Sequence, residues 1–409
     1  MYDRVIMSRV SLVALFGFYT VSIGFSAFAQ GESLGGASGK TAPFRLDTMR
    51  REGRTFLVSS LDGGRAELTL DPQLQEATEE VVRSFQVPYA GAVVLSIADG
   101  RVLAMVGRSA VDPELGVEQL ALRPWAPAAS IFKVVSAAAL VAEGGLSGAS
   151  KACYHGGLSS VLPDNLVNLP ALDRRCDTLA YGLGKSQNAI IAKLVTQHLT
   201  PAKLQRVATA FGFGQPIPFE MPVEPSHLDV PTDDGLEFAR TAAGFWHSTL
   251  SPLHGALMAA AVASGGEMPI PTLIERAFKA NGTAIRMPAP QSRRVISAAV
   301  AREVGRMMEG TTRMGTAKHT FHDRRGNRYL PIEVAGKTGT LSAETDKGYV
   351  GYSWFIGYAP AAKPTIAFAV ALGNHATWRI KASYVARRIV TAYLADKGDR
   401  PAARVLAAR

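Results

Sequence analysis

A serine and a lysine one helical turn apart could act as a nucleophile and its base. Ser130 and Lys133 lie at the start of an apolar pattern that predicts a helix over residues 131–142, which places both side chains on one face. Unpaired amides at a helix N-terminus favour the negative charge that develops in acyl transfer. As a base, Lys133 would need its pKa lowered from about 10.4 to near 7, which burial and a second cation achieve. Alone, however, the pair is more typical of a capping Ser and a Lys that extends its amine to solvent.

A second set of polar residues begins another apolar helical pattern. Ser186 offers a hydroxyl for proton relay, and Asn188 offers an amide that could orient a substrate. By itself this set is also typical of a capping Ser beside a solvated Asn.

A third set lies inside a predicted strand. It consists of Lys337, Thr338, Gly339 and Thr340. A strand Gly permits close approach of a ligand to the backbone, while the Lys and the two hydroxyls could bind a carboxylate. An edge strand protected by its Lys is the alternative interpretation.

The three sets occur once each, in the order Ser-x-x-Lys, Ser-x-Asn, Lys-Thr-Gly. In this combination the sequence resembles the transpeptidases of the penicillin-binding proteins, serine acyltransferases that β-lactams inhibit. The resemblance runs from about residue 66 onward and includes residues 69–75, 92–105, 249–266 and 354–360.

The resemblance implies a catalytic role for four of these residues. Ser130 would be the acylated nucleophile, and Lys133 its general base. Ser186 and Asn188 would relay protons and contact the substrate amide. The residue before the nucleophile is Ala129, where the family has Gly.

The same resemblance assigns the third set to substrate binding. Lys337 would belong to the catalytic group and, with Thr338, Gly339 and Thr340, would hold the terminal carboxylate of the donor peptide. The backbone amides of Ser130 and Thr340 would form the oxyanion hole.

These residues must be positioned by elements from distant parts of the chain. Strands are predicted at both ends of the globular part and helices in its middle, which favours an α+β domain. The resemblance implies an antiparallel sheet flanked by helices, plus an all-α subdomain. Helices are predicted at residues 72–85, 189–198, 253–264, 298–308 and 382–394, and strands at 91–97, 101–106, 332–340, 352–358 and 365–372.

Residues 1–31 have the pattern of an export signal. Arg4 and Arg9 precede an uncharged apolar stretch that ends near an Ala-x-Ala sequence. At about 1.5 Å per residue this stretch could also span a bilayer, so a cleaved signal peptide and a membrane anchor both remain open. Either way, we expect the rest of the chain in the periplasm or on the outer face of the inner membrane.

The remaining chain divides into two predicted regions. Residues 32–65 are rich in Gly, Ser, Arg and Thr with little periodicity, which predicts a linker or small pedestal. Residues 66–409 are expected to form the transpeptidase domain. The short first region leaves no room for a glycan-polymerising domain, so a separate glycan polymerase or an envelope complex is an expected partner.

Export also bears on the two cysteines. In an oxidising compartment Cys153 and Cys176 could pair, while two buried thiols are the alternative. The segment from Cys153 to Gly157 is similar to one in some relatives, which favours the disulfide. Two cysteines are too few for a four-ligand zinc site, and no His-Glu-x-x-His occurs, so neither a metal nor another cofactor is predicted.

Composition and charge limit the classes of molecule that the protein could bind. A chain of 409 residues with 47% hydrophobic content builds a large core, which excludes a disordered protein. The excess of 44 Lys and Arg over 34 Asp and Glu favours anionic surroundings, but no basic run or basic aromatic stripe indicates nucleic acid. The resemblance implies peptidoglycan stem peptides ending in D-Ala-D-Ala as substrates, and β-lactam antibiotics as inhibitors.

Other activities of related folds stay open at this point. A D,D-carboxypeptidase would use the same acyl-enzyme with water as acceptor. A β-lactamase or β-lactam sensor is disfavoured, because no Glu-x-x-x-Asn lies between the second and third sets and Leu183 stands where Tyr-Gly-Asn would place Asn. A non-catalytic envelope scaffold is disfavoured because every member of the three sets is present.

Overall fold

A computed structural model describes residues 44–345 and 348–396. The α-helices in this part of the chain are α1 (Pro72–Ser84), α2 (Lys133–Ala142), α3 (Leu179–Gly184), α4 (Asn188–His198), α5 (Pro201–Phe211), α6 (Leu236–Ala243), α7 (Pro252–Ala263), α8 (Ala298–Arg313), α9 (Lys318–Phe321) and α10 (Ala382–Asp396). The strands are β1 (Phe44–Glu52), β2 (Thr55–Ser60), β3 (Arg65–Leu68), β4 (Tyr89–Ser96), β5 (Val102–Ser109), β6 (Ala126–Pro127), β7 (Lys151–Tyr154), β8 (Arg175–Thr178), β9 (Thr249–Leu250), β10 (Glu267–Pro269), β11 (Ile274–Phe278), β12 (Ala284–Ile285), β13 (Ser292–Arg294), β14 (Ala335–Thr345), β15 (Gly348–Ala359) and β16 (Ile366–Asn374).

A central antiparallel sheet joins strands that are far apart in the sequence. Its order is β14-β15-β16-β4-β5, so the hairpin formed by β4 and β5 lies beside β16. Every residue of β16 is buried, because helices cover both faces of the sheet at this strand. β14 is an edge strand, and one row of its backbone amides and carbonyls therefore faces away from β15.

The two faces of the sheet are covered by different helices. α1 and α10 pack against each other on one face, where Leu74 and Val81 meet Val385 and Ile389 in one apolar cluster. α7 lies on the other face, between the sheet and α8, and its residues from Pro252 to Val262 are buried on all sides for that reason. Burying one Leu or Val side chain contributes about 1.5 to 3 kcal/mol, so both layers help to stabilise the domain.

A helical subdomain packs beside the sheet. α2 is buried along most of its length and contacts α3, α4, α5 and α6. The subdomain carries the hairpin of β7 and β8 on its surface, packed against α4. The predicted α+β architecture, an antiparallel sheet flanked by helices with a helical subdomain, is confirmed.

A second sheet contains part of the segment predicted as a linker or small pedestal. From Phe44 onward this segment is folded: β1, β2 and β3 belong to a five-stranded sheet with β11 and β12. The predicted boundary after residue 65 falls inside β3, so the segment is structurally continuous with the rest of the globular chain. The sequence pattern does not indicate these strands, because β1 is strongly charged and largely exposed and because Phe56, Leu57 and Val58 form a very short apolar run.

The predicted export signal lies outside the described residues. Among residues 44–345 and 348–396, no helix combines the length and the apolar character needed to cross a membrane.

Candidate active site

The predicted nucleophile and base lie where a short turn enters α2. Ser130 belongs to a 3-10 turn, Ala129–Phe132, and Lys133 is the first residue of the α-helix proper. Lys133 Nζ lies 2.7 Å from Ser130 Oγ and donates a hydrogen bond to the backbone oxygen of Ala243 at 2.6 Å. The Lys133 side chain is fully buried, so its stem is held by apolar neighbours and its amine has little freedom to move.

A glycine at the end of α6 makes this arrangement possible. Gly244 terminates α6 with φ +86°, and a Cβ there would lie 2.1 Å from the backbone oxygen of Ala129. Because Gly244 has no side chain, the end of α6 can approach the 3-10 turn of residues 129–132, named here the nucleophile turn. The Ala243 carbonyl thereby comes within hydrogen-bond distance of Lys133 Nζ. Ala129 itself has φ +50°, a left-handed conformation that favours Gly.

The second and third sets meet through a hydrogen bond between Lys337 and Ser186. Lys337 on β14 is fully buried and donates from Nζ to Ser186 Oγ at 3.0 Å and to the Thr338 backbone oxygen at 2.7 Å. Ser186 lies between α3 and α4 with φ +57°. Asn188 is the first residue of α4, and its Nδ2 donates to the Leu158 backbone oxygen at 2.9 Å.

The two buried amines have altered acidity. Burial lowers the pKa of Lys337 to about 7, because desolvation disfavours the charged form. Burial also lowers the pKa of Lys133 well below its ordinary value, and the charge of Lys337 lowers it further. The lowered pKa of Lys133 favours the neutral amine beside the Ser130 hydroxyl, and the neutral amine is the form that a general base requires.

A cleft of about 720 Å³ opens over these residues. None of the described residues that line it is Asp or Glu, and the exposed Lys185 and Lys381 lie among the lining residues. The cleft is therefore electropositive and suits an anionic ligand. The predicted site residues that line it are Ser130, Ser186, Asn188, Thr338, Gly339 and Thr340.

Several residues of the cleft were missed by sequence reasoning. Thr316 shares a hydrogen bond between its hydroxyl and that of Thr338, and its amide donates to the Gly184 backbone oxygen at 3.1 Å. Trp246, Trp354 and Trp378 form aromatic parts of the wall. The break in helical pattern at Gly315 is a weak sequence signal for Thr316, but no local signal places the three Trp residues in one wall.

The two cysteines lie outside the residues that line the cleft. Cys153 on β7 and Cys176 on β8 are directly opposite each other in the hairpin and form a disulfide. The hairpin packs against α4, the helix that begins at Asn188.

The sequence matches the family described as the penicillin binding protein transpeptidase domain, over residues 90–394. This range contains all three polar sets and the whole central sheet except the first residue of β4. The chain belongs to this family. As a penicillin-binding transpeptidase it is a serine-type enzyme, and the resemblance recognised in the sequence is confirmed.

Relatives of this transpeptidase include proteins of known name and structure. The peptidoglycan D,D-transpeptidase PbpA of Mycobacterium tuberculosis is 27% identical over 346 residues, which cover 77% of this chain and 68% of that protein. A crystal structure of PBPA from the same organism superimposes with a TM-score of 0.66 at 23% identity, covering 81% of this chain and 82% of that chain. The penicillin G acyl-enzyme complex of penicillin-binding protein A from M. tuberculosis gives a TM-score of 0.67 at 23% identity and covers 81% of each chain.

Proposed function

We propose that this transpeptidase cross-links peptidoglycan stem peptides as a D,D-transpeptidase, through an acyl-enzyme on Ser130. The observation that carries the proposal is the 2.7 Å separation between Ser130 Oγ and the buried amine of Lys133. The name of the PbpA relative and the penicillin acyl-enzyme of the solved structure support the same chemistry.

In the first half-reaction Lys133 takes the proton of Ser130 while Oγ attacks the carbonyl carbon of the penultimate D-Ala. A neutral Lys133 amine has two N–H groups and one lone pair. One N–H donates to the Ala243 backbone oxygen, and the lone pair remains available to accept the Ser130 proton. General-base assistance of this kind contributes about 10² to 10⁴ in rate. The carbonyl oxygen becomes an anion, for which the backbone amides of Ser130 and Thr340 are the proposed donors.

Breakdown of the tetrahedral intermediate needs a proton on the leaving amine. Ser186 is the proposed donor, since its hydroxyl accepts a hydrogen bond from Lys337 Nζ and is thereby connected to a source of protons. The C–N bond breaks, free D-Ala leaves with that proton, and the remaining peptide is an ester of Ser130. In the second half-reaction an acceptor amine attacks the ester carbonyl and gives a proton to Ser186, which replaces the one lost to D-Ala. The ester C–O bond then breaks, and the Ser130 oxygen recovers its proton from Lys133.

The donor's terminal carboxylate is proposed to bind at β14. Thr338 and Thr340 line the cleft with hydroxyls, Gly339 allows close approach, and Lys337 supplies positive charge beneath them. A Cβ at Gly339 would lie 3.0 Å from Trp354 Cβ and 3.1 Å from the Ile131 side chain, so a larger residue would disturb the strand beside the nucleophile turn.

The place of action is proposed to be outside the inner membrane. The disulfide between Cys153 and Cys176 is expected to persist in an oxidising compartment, and the predicted export signal at residues 1–31 agrees with this. The glycan strands that carry stem peptides are products of polymerisation, so a glycan polymerase or an envelope complex that contains one is the expected partner.

The test is labelling with a fluorescent penicillin, followed by turnover of a donor ending in D-Ala-D-Ala. We expect durable labelling of the wild-type protein and of Ser84→Ala, a matched change on α1 at the other face of the sheet, and no labelling of Ser130→Ala. Release of D-Ala with formation of a new amide when a D-amino acid is added supports transpeptidation. Release of D-Ala without a new amide would instead show a carboxypeptidase, and labelling of Ser130→Ala would remove Ser130 from its role.

A further inference from the structure

A loop beside the cleft holds the backbone and the side chain of Asn188. This segment, residues 155–174, connects β7 to β8 and is named the disulfide loop, because Cys153 and Cys176 join the strands at its two ends. The backbone N–H of Asn188 donates to the Gly157 backbone oxygen at 3.2 Å, and its side-chain Nδ2 donates to the Leu158 backbone oxygen at 2.9 Å. With Nδ2 held by the loop, Oδ1 is the part of the amide group left to accept a hydrogen bond from a substrate.

Close packing at one glycine fixes the distance between the loop and α4. Gly157 has φ +66°, and a Cβ there would lie 2.3 Å from Ala189 Cβ and 2.8 Å from the Ala189 backbone nitrogen. Both atoms belong to Ala189, in the first turn of α4, and have little room to shift. Any side chain at Gly157 would therefore push the loop away from α4 and separate the Leu158 carbonyl from Asn188.

Both ends of the disulfide loop are attached to α4 by a buried ionic cluster that the proposed mechanism does not use. Lys193 Nζ donates to Asp173 Oδ2 at 2.7 Å and to the Cys153 backbone oxygen at 2.8 Å. His155 Nδ1 lies 2.6 Å from Asp173 Oδ1. The side chains of Lys193 and Asp173 are only 2% and 5% exposed.

The acidity of the cluster is consistent with a permanent ion pair. Burial raises the pKa of Asp173, but hydrogen bonds from His155 and Lys193 outweigh it and lower this pKa to about 2. A buried ion pair adds little net stability compared with apolar packing, while loss of one partner leaves an unpaired charge. What the pair does specify is the position of the loop ends on the helix that carries Asn188.

We propose that the disulfide loop is a positioning element for Asn188, with Gly157 and Asp173 as its positioning residues. The inference rests on the proposed function, because it assigns the loop to the substrate contact of that active site. Displacement of the loop would release Nδ2, let the amide rotate, and misdirect the group that holds the scissile peptide. Misplacement of a catalytic contact by about 1 Å lowers the rate about 10- to 100-fold.

The first experiment compares two glycines of nearly identical φ. Gly145, in the turn that follows α2, has φ +68° and no atom within 4 Å of the position that a Cβ would take, whereas Gly157 has φ +66° and the clash with Ala189. We expect Gly157→Ala to lower the second-order rate of acylation by penicillin about 10- to 100-fold, and Gly145→Ala to stay within about twofold of wild type. Equal rates for the two variants would overturn the proposal.

Repeating Gly157→Ala in an Asn188→Ala background separates positioning from general damage to the fold. If the loop acts through Asn188, the second change slows acylation no further, because residues that act as a unit are not additive. A full additional loss in that background would refute the proposed route. Rates are taken per active enzyme, from the amount of label at completion, so that unfolded protein does not contribute.

Reduction of the disulfide provides a test that needs no substitution. We expect a thiol reductant to slow acylation of the wild-type protein and reoxidation to restore it, with no effect of reduction on Asn188→Ala. Asp173→Asn should be slowed, and Asp173→Glu should recover part of the rate because it restores the charge opposite Lys193. If wild-type protein does not label at all, the proposed function fails; if it labels but reduction and Asp173→Asn leave its rate unchanged, this inference alone fails.

Discussion

The backbone oxygen of Ala243 accepts a hydrogen bond from Lys133 Nζ at 2.6 Å. This contact connects the end of α6 to the start of α2, two helices that are distant in sequence. It gives the buried amine a polar partner that carries no charge, so the pKa of Lys133 can stay low without leaving the amine unsatisfied. A carboxylate in the same place would raise the pKa and favour the charged amine.

Replacement of Lys133 tests its role as the base. We expect Lys133→Met and Lys133→Arg both to lose about 10² to 10⁴ in the rate of acylation by a fluorescent penicillin, since Met has no basic group and Arg stays protonated. Both rates are measured by quenching the labelling reaction at a series of times, and circular dichroism checks that the fold is retained. A Lys133→Arg variant within about tenfold of wild type would show that positive charge, and not proton transfer, is what the position supplies.

The pKa of Lys337 predicts an alkaline limit on activity. In the free enzyme this pKa lies at about 7, so the cation beneath Thr338 is lost as the pH rises above that value. We expect kcat/KM for a donor with a free terminal carboxylate to fall above about pH 7, and the fall to be absent from Lys337→Arg, whose charge persists. A pH profile from 5 to about 10 measures both. The same decline in Lys337→Arg would assign it to another group.

A side chain at Gly244 should disrupt the nucleophile turn. Its Cβ would lie 2.1 Å from the Ala129 backbone oxygen, a contact with backbone that rotamer changes do not relieve. We expect Gly244→Ala to slow acylation at least about tenfold and to lower the melting temperature. Gly214→Ala is the matched control, because Gly214 also has a positive φ, +70°, and no atom within 4 Å of a Cβ. Equal behaviour of the two variants would indicate backbone strain alone.

The hydroxyl of Thr316 should contribute to binding of the donor carboxylate. It is hydrogen-bonded to the Thr338 hydroxyl and so orients that group in the cleft. We expect Thr316→Val to raise KM for a donor ending in a free carboxylate by about tenfold with little change in kcat, the loss of about one hydrogen bond. Thr196→Val, on α4, is the control, since its hydroxyl bonds to backbone oxygens of its own helix. An unchanged KM would exclude the role.

Much of the local structure was predictable from the sequence. The apolar periodicity around Ser130 and Asn188 specified helices, and the apolar alternation that contains Lys337 specified a strand, because both patterns depend on neighbouring residues. Element boundaries moved: β14 begins at Ala335 and continues to Thr345, and α8 continues to Arg313. The order of the three polar sets indicated the family, and the resemblance to the family implied that the three sets lie close together in space.

Other features depend on packing between distant segments. Nothing local to Phe44–Glu52 shows that it belongs to a sheet that also contains residues beyond 270, since a charged, largely exposed strand has weak apolar periodicity. The carbonyl of Ala243, the lack of space at Gly244 and the hydroxyl of Thr316 became part of the site only through the approach of other elements.

The residue types of the site, their order and the elements that carry them were thus determined by the sequence alone. The acidity of Lys133 and Lys337, the electropositive cleft and the attachment of Asn188 to the disulfide loop were decided by the tertiary structure. The physical reason is that pKa values and close contacts depend on burial and on which distant groups are neighbours. Those quantities exist only once the chain has packed.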